Sequence, residues 1–258
     1  MASPMIRNAR WLPWAAVALS LLFRALYFLQ IRSNPYFDVP IMDEGYHDLW
    51  AREISAGDWT ARVPFFRAPL YPMLLGLAYR WLGTDPVPFG WLRGAQLAIG
   101  ALTPWIAYRI GRHLVPQTAW VAAVAAAVVA LDGILVYFEA ELLLESLLAP
   151  LGALFLLLVL RAMETGTVRR WAAAGLVLGL FAITRPNVLL FAPVLFLVAW
   201  SPVRRWRLPA ANLRGALALT AATCVCVLPV TLVNARWGGD RVLVASQAGL
   251  NFFLGNNA

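Results

Sequence analysis

The stretch Trp11–Ile31, WLPWAAVALSLLFRALYFLQI, decides the fold class. It carries a single charge, Arg24, over about twenty residues. As a helix rising 1.5 Å per residue it spans roughly 30 Å, the thickness of a bilayer's hydrocarbon core. Apolar runs of this kind recur along the chain. The predicted spans are residues 11–31, 89–108, 118–138, 142–160, 171–184, 188–200 and 213–233. The fifth and sixth are short, and Pro186 between them disfavours helix at the preceding residue, so a tight reversal is expected there. Hydrophobic residues make up 61% of the chain and charged residues 13%, about half the charge a soluble surface normally carries. The sequence therefore predicts an all-α polytopic membrane protein, a bundle of about seven spans forming a single membrane domain over residues 1–258. It shows no internal repeat and no soluble domain.

The net charge of +8 comes from 21 arginines with no lysine. This basicity does not point to nucleic acid, because the arginines cluster in short loops between spans. With the N-terminus inside, Arg7, Arg10, Arg109, Arg112, Arg161, Arg169, Arg170, Arg204, Arg205, Arg207 and Arg214 all face the cytoplasm, as the positive-inside bias requires. Glu164 is the one acid among them. The other acids fall in the outer segments or near the outer ends of spans. Residues 32–88 then form a long external loop and residues 234–258 an external C-terminal segment. Cys224 and Cys226 sit in an apolar run and read as small hydrophobes.

The external loop is expected to hold two helices lying at the membrane interface. In Glu44–Ser55, Tyr46, Leu49, Trp50 and Ile54 fall near one face, and Asp48, Arg52 and Glu53 on the other. Leu70–Leu82 is apolar but short for a span, and its Tyr71, Tyr79 and Trp81 suit headgroup depth.

Asp43 and Glu44 open the first of these helices. Helix capping accounts for them. So does chemistry, with a carboxylate near lipid serving as a general base or holding an acceptor or a metal. A second acidic set, Glu139, Glu141 and Glu145, marks the outer start of the fourth span. Glu141 and Glu145 share a helical face and repel unless a cation lies between them. Arg24 within the first span, Arg67 in FFRAPLYP and Arg185 in AITRPN are cations on the same side. A guanidinium fork suits phosphate, and equally a neighbouring acid or a lipid headgroup. His47 is a weak metal candidate. Asn251, Asn256 and Asn257 suit contact with sugar hydroxyls, and ordinary turns as well.

In order, MDEGYHDLWAREISAGDW, FFRAPLYP, YFEAELLLES, AITRPN and GLNFFLGNN resemble the lipid-carrier-dependent glycosyltransferases of the GT-C fold, family 39, which includes protein O-mannosyltransferases and aminoarabinose transferases. The resemblance implies inverting transfer of a sugar from a polyprenyl-phosphate donor to an external glycan, lipid or protein hydroxyl. It implies Asp43 as the base, or as the acid that orients the acceptor, and Arg67 at the donor phosphate. Beside these, the residues themselves offer Glu44 as a second catalytic acid and Arg24 and Arg185 as secondary phosphate candidates. An alanine intervenes between Arg67 and Pro69, where relatives have the proline directly. Glu141 falls where relatives carry a second acid, with Glu139 and Glu145 as rivals. No cofactor is required, although the chemistry accommodates a divalent metal. Relatives continue beyond the Gly-Asn-Asn stretch, so an N-terminal fragment is implied, in a bacterial inner membrane with its site on the periplasmic face. Two other readings stand beside this one, a transporter or flippase of polyprenyl-linked sugars and a non-catalytic membrane scaffold.

Overall fold

In the computed structural model, which describes residues 11–60, 62–200 and 213–256, every element is a helix. They run α1 (Leu12–Ile31), α2 (Met42–Ser55), α3 (Leu70–Leu82), α4 (Phe89–Gly100), α5 (Thr103–Leu114), α6 (Ala119–Ala130), α7 (Gly133–Ala140), α8 (Glu145–Thr165) and α9 (Val168–Ala182). A 3₁₀ turn over Pro186–Phe191 leads into α10 (Ala192–Trp200), followed by α11 (Leu213–Arg236) and α12 (Gln247–Asn256). Among the described residues, three helices, α1, α8 and α11, are long and apolar enough to cross a membrane. The α6–α7 pair, bent by 46°, makes a fourth if it crosses as one. The protein is an all-α membrane protein.

Two helix breaks have local causes. Pro104 lies in the first turn of α5, where its missing N–H is tolerated, and it interrupts the hydrogen-bond ladder from α4. Asp132 caps α7, accepting from the amides of Ile134 and Leu135 at 3.0 and 3.2 Å, and this ends α6 at Ala130.

The chain divides into two compact units. One comprises the residues up to Arg52 together with Leu75–Leu160, and the other Glu53–Leu74 together with the residues from Arg161 onward. In the first unit, small residues let α1, α5 and α6 approach closely: Ala16, Tyr108, Ala122 and Ala126 form one buried cluster. Leu97, Val136 and Ala140 form another, covered by Phe23, Tyr27, Phe28 and Ile31 of α1.

In the second unit α9 packs on α11 through glycines. A Cβ on Gly175 would collide with the carbonyl of Leu219, and one on Gly179 would come within 2.7 Å of the Cys226 Cβ. Thr223 donates to the Gly175 carbonyl at 3.1 Å across the same contact. Gly175→Leu is therefore expected to force the helices apart and cost at least the 1–3 kcal/mol or so of an overpacked core. Gly133→Ala is the control, because nothing lies within 4 Å of its added Cβ. It should be neutral or stabilising by up to about 1 kcal/mol. Unfolding in detergent, followed by circular dichroism, distinguishes the two, and a Gly175→Leu protein as stable as the parent would overturn the packing argument.

Candidate active site

The first turn of α2 separates its two acids. Neighbouring residues on a helix point about 100° apart, so Asp43 faces outward while Glu44 turns inward and is 6% exposed. The buried face of α2 is its polar one, carrying Glu44, His47 and Asp48 together with Ala51 and Ile54. Leu49 is exposed, the arrangement expected of a helix whose apolar side meets lipid. Met42, just before the two acids, takes a φ of 50°. For a bulky residue this left-handed backbone stores about 1–3 kcal/mol of strain.

Glu44 is held by Arg93 of α4, which the sequence reading did not single out. The guanidinium binds the carboxylate through both nitrogens, Nη1 to Oε1 at 3.0 Å and Nη2 to Oε2 at 3.2 Å. It also donates to the carbonyls of Ala140 at 2.7 Å and Phe37 at 3.2 Å, and lies 3.4 Å from Glu141 Oε2. Glu44 Oε1 further accepts the Leu142 amide at 2.6 Å. The signal for Arg93 was available: a lone Arg inside an apolar helix has to find a partner.

The Glu44 and Glu141 carboxyls are close enough to share a proton. Burial raises the affinity of Glu141 for it, as do the hydrogen bond to Glu44 and that group's charge, and together they push Glu141 up to about 7. Burial acts the same way on Glu44 but is outweighed by hydrogen bonds from Glu141, the Leu142 amide and Arg93, which hold Glu44 below its ordinary value. The two carboxyls therefore titrate as a pair, with the proton affinity of Glu141, in the linker between α7 and α8, raised and that of Glu44 lowered.

Glu141's raised value means that the folded state binds more protons than the unfolded state between about pH 4.5 and 7. Its contribution to stability is complete at the acid end of that window and is lost as pH rises through 7. The lowered value of Glu44 acts in the opposite sense, losing its contribution only as pH falls below the ordinary carboxylate range. We expect the melting temperature in detergent to fall from pH 5.5 to 8, and Glu141→Gln, which keeps a donor toward Glu44, to flatten the profile. A melting temperature that rises over that range would rule out the shared proton.

Asp43, Glu44, Glu141 and Arg93 line a cavity of about 440 Å³ with Tyr27 and Asn34. Beneath it, Arg24 pairs with Glu139, Nε to Oε2 at 2.7 Å and Nη2 to Oε1 at 3.0 Å. Arg24 also donates to Ser20 Oγ and, at 3.2 Å, to the Ala130 carbonyl at the α6–α7 break. Gln96 braces the same corner, donating to the carbonyls of Glu139 at 3.0 Å and Glu141 at 2.8 Å. Beside the cavity, His47 Nδ1 donates to the Leu142 carbonyl at 3.2 Å. Tyr79 donates to Asp48 at 2.7 Å, and Arg52 pairs with the same carboxylate at 2.9 Å. Glu145 opens α8. Among the described residues, no group of three or more metal-ligating side chains gathers.

The remaining sequence candidates belong to the second unit. Arg67 is half-buried in a segment whose backbone is tied on both sides. Leu70 donates to Ile183, next to the Arg185 turn, and Ser246 and Gln247 donate to Phe65 and Phe66. Asn234 locks this assembly, accepting the Phe65 amide and donating to the carbonyls of Val242 and Val244 at 2.9–3.1 Å. Arg185 is exposed at the start of the 3₁₀ turn. Asn251 and Asn256 are exposed on α12, where Asn256 bonds the Phe252 carbonyl. Asn257 lies outside the described residues, as do Arg7, Arg10, Arg204, Arg205 and Arg207.

Among the described residues the protein is all-helical, with the carboxylates of Asp43, Glu44 and Glu141 at one cavity. The family model described as dolichyl-phosphate-mannose-protein mannosyltransferase matches residues 67–231, more than half of the chain, and the chain belongs to that family. The family is one of GT-C-type membrane enzymes that use a lipid-linked sugar. The match begins at Arg67, so Arg93, Glu139, Glu141 and Arg185 lie within it, whereas Asp43 and Glu44 precede it. No curated protein and no solved structure is significantly similar to the chain.

Proposed function

We propose that the chain transfers a sugar, with inversion, from a polyprenyl-phosphate donor to an acceptor hydroxyl at the outer face of a bacterial inner membrane. The observation that carries this reading is the contrast between two adjacent acids. Asp43 is exposed at the cavity, while Glu44 is buried against Arg93. Asp43 takes the proton of the acceptor hydroxyl as its oxygen attacks the anomeric carbon. The bond from that carbon to the phosphate oxygen breaks, and the carrier phosphate leaves with the negative charge. Glu44 is then the anchor that fixes the first turn of α2, and Glu141, its raised proton affinity coupled to Glu44, forms the facing wall of the cavity. Arg67 is the first candidate for the donor phosphate, with Arg185 and Arg24 as secondary ones; Arg24 also pairs with Glu139. The scheme needs no cofactor and leaves room for a divalent metal.

The test is to incubate the purified protein with radiolabelled polyprenyl-phosphate sugars and follow transfer to glycan, lipid and protein acceptors. Movement of the intact lipid across vesicles without transfer would instead favour a flippase. On the donor side, Arg67→Ala is expected to weaken binding of a polyprenyl-phosphate analogue about tenfold or more, the worth of one charge-assisted phosphate contact. Arg67→Lys should recover only part of that, having charge without the fork. Unchanged binding by Arg67→Ala would place the phosphate elsewhere.

A further inference from the structure

A second hollow, which has Phe37 as a wall in common with the acidic cavity, lies in the first unit where the end of α1 meets the start of α4. It encloses about 840 Å³ and is lined by Phe28, Phe37, Gly90, Gly94 and Ala98, with Arg32 and Asp38 at its rim. This is within the range of about 300–1,000 Å³ typical of small-molecule pockets. Gly90, Gly94 and Ala98 are four residues apart and so form one face of α4. That face is a slot without side-chain bulk, about 12 Å long at 1.5 Å per residue. A Cβ at Gly90 would meet the Phe37 ring at 3.6 Å and one at Gly94 the Phe28 ring at 4.0 Å, so these two rings in edge contact form the wall facing the slot. The hollow stands at the end of a helix long and apolar enough to cross a membrane, and Trp91 beside it is 78% exposed, as befits a residue at headgroup depth.

The rim identifies the occupant. Arg32 and Asp38 are exposed, and among the described residues neither forms an ion pair or a side-chain hydrogen bond. A wholly anionic lipid would satisfy Arg32 and be repelled by Asp38. A zwitterionic phospholipid satisfies both, with its phosphate on Arg32, its ammonium on Asp38 and an acyl chain along the Gly90–Gly94–Ala98 slot. We infer that this hollow is a binding site for one phosphatidylethanolamine-type lipid, distinct from the acidic cavity. The inference stands whether or not the transfer reaction proposed above is correct.

Native mass spectrometry of the purified full chain, titrated with phosphatidylethanolamine, phosphatidylglycerol and polyprenyl phosphate in turn, tests it. We expect one phosphatidylethanolamine per chain, held about tenfold more tightly than phosphatidylglycerol. Asp38→Asn should bring those two lipids level, and Arg32→Gln should weaken both about tenfold. Gly94→Leu, which fills the slot, should abolish the bound lipid. Equal binding of the two phospholipids by the parent would overturn the inference, as would displacement of phosphatidylethanolamine by polyprenyl phosphate or an Asp38→Asn protein that still discriminates. If Gly94→Leu does not fold, the two rim variants decide, since both side chains are exposed and removing them leaves no buried partner behind.

Discussion

Asp43→Asn is expected to yield a folded protein that still binds the carrier lipid but has lost transfer by roughly a hundredfold or more, the usual worth of a general base. The substitution separates the two explanations for an acid at this position. Asp43 lies in the first turn of α2, where losing its charge removes only about 0.3–1 kcal/mol of helix-dipole stabilisation, so a purely structural Asp43 would leave turnover nearly intact. Its exposure makes an indirect effect through misfolding small, since nothing buried changes charge. Transfer should be measured beside lipid binding and helix content in the same preparation. Normal turnover by the asparagine variant would sink the proposed mechanism, whatever the fate of the donor site.

The opposite pattern is expected at Arg93. Its side chain and that of Glu44 are 3% and 8% exposed, so the regime is that of a buried ion pair, where loss of one partner costs about 3–5 kcal/mol. Arg93→Leu strands the Glu44 carboxylate and removes the donor that the carbonyls of Ala140 and Phe37 share. Arg93→Lys keeps the charge but cannot span both carboxylate oxygens, and should fall between parent and leucine. Arg93→Leu should therefore be recovered in low yield, melt early in detergent and regain stability in part when Glu44 is also made apolar. A leucine variant as stable as the parent would mean that this cluster does not hold the site together.

What the sequence could reveal depended on whether the signal was local. The helix over Leu12–Ile31 follows from an uninterrupted apolar run, and the one over Leu70–Leu82 from aromatic and aliphatic residues at helical spacing. The break at Asp132–Gly133 was signalled by an N-cap residue followed by glycine, but the apolar run on either side invited a continuous span over 118–138. Which acid faces the cavity and which faces an arginine depends on how α4 lies against α2, and adjacent letters in a sequence do not carry that. Arg93 escaped notice for a related reason. It is a single charge inside the otherwise apolar FGWLRGAQLAIG, and its partners come from α2 and from the α7 end, distant in the chain. The reasoning applied to Arg24, that a charge in an apolar helix must be paired, holds equally at Arg93 and would have found it.

The pairing of Arg24 with Glu139 also constrains how the protein is made. The two residues are 115 positions apart in the chain. At about 5–20 residues per second, roughly 6–23 s separate their emergence from the ribosome. Over that interval the first helix enters the bilayer carrying a cation whose partner does not yet exist, at a cost of up to about 3.5 kcal/mol at the bilayer centre. The nascent first helix is thus expected to linger beside the insertion machinery, or to ride high enough for Arg24 to reach headgroup phosphates, and to settle only when the segment bearing Glu139 arrives. Maturation of this protein is in that sense expected to be a timed handover, from whatever first shelters the arginine to its own chain.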